Sequence, residues 1–200
     1  MSGKYCRFQY LILRTLLMNN PFRSVPALIL MAVSIALLPL AGCKTAVVSH
    51  ETSDSGFHGF TSLDKICVIT PADGSYYGKP YVGSGDFVAK SISSALSHHG
   101  SDTKVLGNTA SREEAIAFAK ADGCSYVVMP EIVSWEDRAT EWSGIRDKML
   151  VRIVIFRTSD GKEVNRATIG GKSRWFTFGG DHPQDLVDQP TDKYIDSLYQ

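Results

Sequence analysis

Residues 1–42 contain no acidic side chain, although they carry Lys4, Arg7, Arg14 and Arg23. A basic, acid-free start is the flank of a targeting segment, not part of a globular surface. The whole chain lacks a charge excess, with 21 Lys and Arg against 21 Asp and Glu. Setting the first 42 residues aside leaves 17 basic and 21 acidic residues, net −4. That balance argues against nucleic acid, whose binding depends on a clustered basic surface, and against adhesion to anionic lipid through charge. Long apolar runs are missing too. Residues 27–40 form a run of 14, broken only by Ser34 and Pro39. It falls short of the roughly 20 residues of a membrane-spanning helix and fits a signal-peptide core.

Cysteine is scarce, four in 200 residues. Cys67 and Cys124 would both lie beyond a cleaved leader, in an oxidising compartment. They are either a disulfide or, for Cys67 in its apolar run, a small buried hydrophobe. Catalytic and cofactor signatures are absent as well. There is no G-x-S-x-G, and no His, Cys and carboxylate spacing matches a zinc site. His50 and His58 stand isolated in a polar stretch. "DGSYYGKPYVGSGD" (residues 73–86) joins a strand to a helix, where phosphate loops sit. Its glycine spacing fails the P-loop pattern, and Lys79 is followed by Pro80 where Ser or Thr belongs. No cofactor and no metal are expected.

What is present begins with "LAGC", residues 40–43. This resembles the lipobox of bacterial lipoproteins. The resemblance implies that the leader is cut before Cys43, whose thiol carries the glycerolipid and which bears two or three acyl chains, palmitate among them. Met18, 25 residues upstream, is the expected start of translation. Lys44 stands where inner-membrane retention commonly has Asp. The expected location is therefore the outer membrane, on its periplasmic side.

Residues 43–60 are polar and read as a flexible tether. The folded domain, residues 61–200, starts with "KICVIT" (65–70), a buried strand. A helix follows, with Val88, Ile92, Ala95 and Leu96 on one face, Ser84 as cap and Gly100 just past its end. "TKVLG" is the next strand. "SREEAIAFAKADG" is a helix with a Ser111–Glu114 capping box, an inner face of Ala115, Ile116 and Ala119, and Gly123 at its end. "SYVVMPEIVSW" is a third strand, where Pro130 implies a bulge or an edge. "KMLVRIVIFRT" and "EVNRATIGGKSRWFTF" form a hairpin over Asp160-Gly161, bending at Gly170-Gly171. The end is helical in two pieces broken at Pro190, with Tyr194, Ile195 and Leu198 inward. The expected fold is α/β: a mixed sheet of about five strands, βαβαβ then a β-hairpin, with helices mainly on one face. No internal repeat is present.

Three loops hold the candidate binding residues. Tyr76, Tyr77 and Tyr81 offer apolar area with polar tips. "WEDRATEWSG" supplies Trp135, Glu136, Asp137, Arg138, Glu141 and Trp142, a mix suited to protein or sugar contact. Neighbours 136 and 137 point to opposite sides of a strand, so they form no dyad alone. "SRWFTFGGDHPQDL" supplies Trp175, Asp181 and His182, with Asp181 as a helix cap. His98-His99 falls at a helix end, where the dipole favours cations. "WEDRATEWSG" and "GKSRW" with "TFGGDHPQDL" resemble a family of bacterial lipoproteins built on a domain of unknown function. That likeness spans residues 65–199 and implies no residue roles. The strand order is also similar to periplasmic domains of lipoproteins that activate peptidoglycan synthases or build secretion channels. The expected function is a non-enzymatic module that binds an envelope protein or glycan, membrane-attached through its lipid and without nucleic acid. The alternative is a cell-envelope hydrolase using Glu136, Asp137, Asp181 and His182.

Overall fold

The computed structural model describes residues 45–137, 147–173 and 182–199. The expected lipidation site Cys43, and Arg138, Glu141, Trp142, Trp175 and Asp181, lie outside the described residues.

One mixed sheet organises the domain, in the order β1-β8-β7-β6-β2-β5. Its strands are β1 (Thr45–Ser53), β2 (Lys65–Ile69), β5 (Asp102–Leu106), β6 (Tyr126–Glu136), β7 (Lys148–Arg157) and β8 (Glu163–Lys172). A small hairpin, β3 (Ser75–Tyr76) and β4 (Lys79–Pro80), stands apart. The helices are α1 (Ser84–His98), α2 (Arg112–Ala121) and α3 (Asp188–Asp196), the last preceded by a 3-10 turn, Pro183–Leu186. β2 pairs in parallel with β5 and β6, and the remaining pairs are antiparallel. The α/β reading therefore holds, with βαβαβ followed by a hairpin.

The sheet has six strands where about five are expected, because β1 forms within the stretch read as a tether. β1 pairs along β8 from Thr45↔Lys172 to Ser53↔Asn165. An edge strand is held chiefly by backbone hydrogen bonds and has one open face, so polar side chains do not prevent it. Val48 packs on the core while Val47 stays exposed. The ring of His50 lies 5.5 Å from that of Tyr194. The core also begins before the expected domain boundary at residue 61: Phe60 is buried, while Leu63 is exposed.

Alternation along the strands splits the core in two. Ile66 and Val68 face α1 and α3, joined by Met149, Val151, Ile153 and Ile155 of β7. Cys67 and Ile69 face α2, with Ala115, Ala119, Val127 and Phe156. Two helices on one face and one on the other is the expected distribution. Cys67 and Cys124 are joined as a disulfide, with Cα atoms 5.8 Å apart. The buried Tyr194 hydroxyl donates to Asn165 Oδ1 at 2.8 Å.

Caps and breaks differ in detail. The Ser111 side chain accepts from the Glu114 amide, but Glu114 reaches back to the Ala110 amide, one residue earlier than a full box requires. The N-cap of α1 is Gly83, not Ser84. The C-terminal break falls at Val187, and Pro190 sits in the first turn of α3, where its missing N–H costs nothing. Pro130 lies past Val128, the last β6 residue paired with β2, where β6 keeps a ladder on one side only. The bulge comes later, between Ile132 and Ser134.

Candidate functional site

That bulge decides where the next side chains point. Up to Ile132, even-numbered β6 residues face α1 and α3. One extra residue reverses the alternation. Trp135 therefore turns inward and is 1% exposed. It is a core residue and not the accessible stacking platform its flanking position suggests. Among the described residues its Nε1 has no hydrogen-bond acceptor. Ser134 and Glu136 then share the opposite face, where Ser134 Oγ donates to Glu136 Oε1 at 3.1 Å.

Above Trp135, the chain that leaves β2 folds back over it. A Cβ at Gly74 would lie 2.6 Å from Trp135 Cβ, so only glycine lets the loop close there. Asp73 then clamps the start of α1: its carboxylate accepts from the amides of Gly83 at 3.1 Å and Gly85 at 2.8 Å. Ser84 Oγ accepts from the Gly74 amide at 2.9 Å, and the Gly74 carbonyl accepts from the Tyr81 amide at 2.9 Å. An internal carboxylate thus occupies the helix end where a phosphate would otherwise bind.

The clamp holds a two-residue hairpin. Tyr77 (φ 50°) and Gly78 (φ 73°) both have positive φ, as a type I′ turn demands. Asn, Asp or Gly normally fills the first position. A tyrosine there costs roughly 1 kcal/mol. Burial does not offset that cost, since Tyr77 is 91% exposed. Its ring lies 4.4 Å from that of Tyr76. Val82, at the far side of the hairpin, is 89% exposed.

Tyr81 points the other way, into a polar cluster. Burial, together with the neighbouring carboxylates of Asp137 and Asp147, holds its phenol above its ordinary pKa. Asp137 Oδ1 lies 3.8 Å from His182 Nδ1. Asp147 is 8% exposed, and its amide donates to Ser173 Oγ at 2.9 Å. The Ser173 amide returns a bond to the Asp147 carbonyl at 3.1 Å. The His182 amide is held by Asp185 at 3.1 Å. Tyr81, Asp137 and His182 are thus brought together from three loops. Asp147 and Ser173 join them without any warning in the sequence. Asp147 merely precedes a strand, and its hydrogen-bond partner Ser173 is 26 positions away. Glu136 is apart, on the opposite sheet face.

The cluster offers a phenol, carboxylates and an imidazole, enough to recognise a polar ligand by hydrogen bonds. Among the described residues no group of three or more His, Cys, Asp or Glu is arranged to hold a metal ion. His99 is committed elsewhere: its Nε2 meets Asp196 at 2.9 Å and its ring stacks on Tyr199 at 4.1 Å.

The cluster and hairpin share one end of the sheet. Thr45, Lys172, Lys148 and Glu136 form a continuous row across β1, β8, β7 and β6. Asp137 follows at once, and Tyr81 touches it. The chain toward Cys43 therefore leaves from the same end as the cluster.

The chain belongs to the family described as a domain of unknown function, DUF4823, whose profile matches residues 61–198. It is similar to the PelC dodecamer from Paraburkholderia phytofirmans, at 14% identity and a TM-score of 0.56, covering 74% of this chain and 96% of that one. That likeness establishes a shared fold. Protein XCC0632 from Xanthomonas campestris matches at 12% identity and a TM-score of 0.46, over 74% and 90% of the two chains. Lipoprotein GNA1162 from Neisseria meningitidis matches at 15% identity and 0.44, over 56% and 83%. No curated protein matches.

Proposed function

We propose that this DUF4823 member is an outer-membrane lipoprotein, anchored by acyl chains on Cys43 and facing the periplasm, whose domain is a non-enzymatic binding module for an envelope protein. One observation carries the reading. The polar cluster of Tyr81, Asp137 and His182 opens at the end of the sheet from which the chain departs toward Cys43. A partner that met this cluster would itself lie close to the bilayer. Among the described residues no helix is long and apolar enough to cross a membrane.

The hydrolase alternative draws on the same Asp137–His182 approach. It also needs Glu136, which lies on the other face and bonds to Ser134. Cleavage by that set needs Glu136 to converge with Asp137 and His182, whereas binding needs only the hydrogen-bonding groups already gathered around Asp137. Binding is therefore the reading the geometry favours.

Photo-crosslinking in intact cells tests it. A photoreactive residue at Tyr81 is expected to capture a defined envelope protein, with the yield falling when Asp137 or His182 is replaced by Ala. The same probe at Leu63, at the opposite end of the sheet, is the control. Identical adducts from both positions, or capture of glycan alone, would overturn the protein-binding reading.

A further inference from the structure

We infer that the β3–β4 hairpin is a second membrane contact, laying Tyr77 and Val82 in the headgroup zone of the bilayer that holds the lipidated Cys43. The inference rests on the lipid-anchor reading above and adds an orientation to it.

The chain length outside the domain comes first. β1 begins at Thr45, two residues after Cys43. Two residues span at most about 7 Å when fully extended. A lipid on Cys43 therefore holds the first residue of β1 almost at the bilayer surface, with no long tether between. The row Thr45, Lys172, Lys148 and Glu136 fixes which end of the sheet this is. From β1 to β6 is three strand spacings, about 14 Å. The hairpin stands beside the top of β6, since Gly74 sits against Trp135 and Tyr81 against Asp137. Anchor and hairpin are thus two legs at one end of the domain.

The hairpin's composition suits a bilayer interface. Tyr77 and Val82 are among the most exposed large apolar side chains of the described residues. A tyrosine ring places apolar area at the acyl boundary and its hydroxyl among the headgroups. Lys79, also exposed, supplies a donor for phosphate at the same turn. Tyr77 occupies a backbone position that Asn, Asp or Gly would fill with less strain, and nothing in the fold buries it. A contact outside the domain accounts for a tyrosine at that position. The contact is aromatic and apolar, so it needs none of the basic excess that the domain lacks. It also needs little affinity of its own, because a two-residue connection makes the encounter intramolecular and raises its effective concentration.

The test uses the full mature lipoprotein in vesicles of phosphatidylethanolamine and phosphatidylglycerol. Spin labels are placed singly by Tyr77→Cys, Val82→Cys and Leu63→Cys. The native disulfide and the acylated Cys43 leave the new thiol as the reactive one. Collision with oxygen, which concentrates in the bilayer, is compared with collision with a water-soluble nickel chelate. The oxygen-to-nickel ratio is expected to be several-fold higher at 77 and 82 than at 63. A vesicle-bound protein with the same aqueous ratio at all three positions would overturn the docking and leave the anchor standing. Loss of nickel access at 77 without a gain in oxygen access would mean a protein contact and would also overturn it. Mass spectrometry of the Cys43 peptide separates the two readings: an unmodified Cys43 on a protein that washes off vesicles would sink the anchor itself.

Discussion

At one end of the sheet three of the four connections are short, the exception being residues 54–64 between β1 and β2. Residues 99–101 join α1 to β5, residues 122–125 join α2 to β6, and residues 158–162 join β7 to β8. Glycines at positive φ, Gly100, Gly123 and Gly161, make these reversals tight. At the other end lie residues 70–83, which lead from β2 to α1, residues 107–111, which lead from β5 to α2, and the described residues 137, 147, 173 and 182. They carry the clamped tyrosine hairpin and the Tyr81–Asp137–His182 cluster. One end is spent on closing the fold, while the other presents side chains whose positions cost stability or contribute little to it. Tyr77 is the clearest case, an aromatic residue in a strained turn with no burial in return. That asymmetry is the usual division between a rigid scaffold and the loops that carry function.

The largest expected effect lies at the closing end. Cys67 and Cys124 tie β2 to the turn after α2 across 57 residues. By loop-closure entropy, removing that link costs about 4 kcal/mol. Denaturant unfolding of the Cys67→Ser, Cys124→Ser double variant measures it, and equal midpoints with and without the bridge would contradict the scaffold role. A smaller loss is expected at the presenting end. Asp73→Ala strips the acceptor from the Gly83 and Gly85 amides and should cost about 1 kcal/mol, as loss of a helix cap does. Amide exchange should accelerate at those two residues and spare β7 and β8. The smallest effect has the opposite sign. Tyr77→Gly relieves the turn and should raise stability by up to about 1 kcal/mol while weakening vesicle contact. A clear loss of stability instead would mean that Tyr77 supports the fold and would erase the contrast between the two ends.

Local signals were legible. The face of α1 with Val88, Ile92 and Leu96, the Asp160-Gly161 turn and the end of α2 at Gly123 depend on neighbours within a few residues, and they formed as expected. β1 was not legible, because an edge strand is stabilised by a partner more than a hundred residues away and its own polar composition imitates a linker. Trp135 was misplaced for a similar reason. Whether it faces core or solvent depends on one bulged residue, and a bulge leaves the alternation ambiguous until the register with β7 is known. Of the candidate site, Tyr81, Asp137 and His182 stand out in the sequence as polar groups on separate loops, but nothing local to any of them signals their meeting, the Asp147–Ser173 pair or the Asp73 clamp.

By itself the sequence determined the α/β class, the order of the main strands and helices from β2 onward, and which helix faces are apolar. These follow from hydrophobic periodicity and turn chemistry, which act over a few residues. Only the tertiary structure decided which side chains share an end of the sheet. It placed the tyrosine hairpin, the acid–imidazole cluster and the departing chain together, because strand register and one β-bulge set those positions through pairings between residues far apart in sequence.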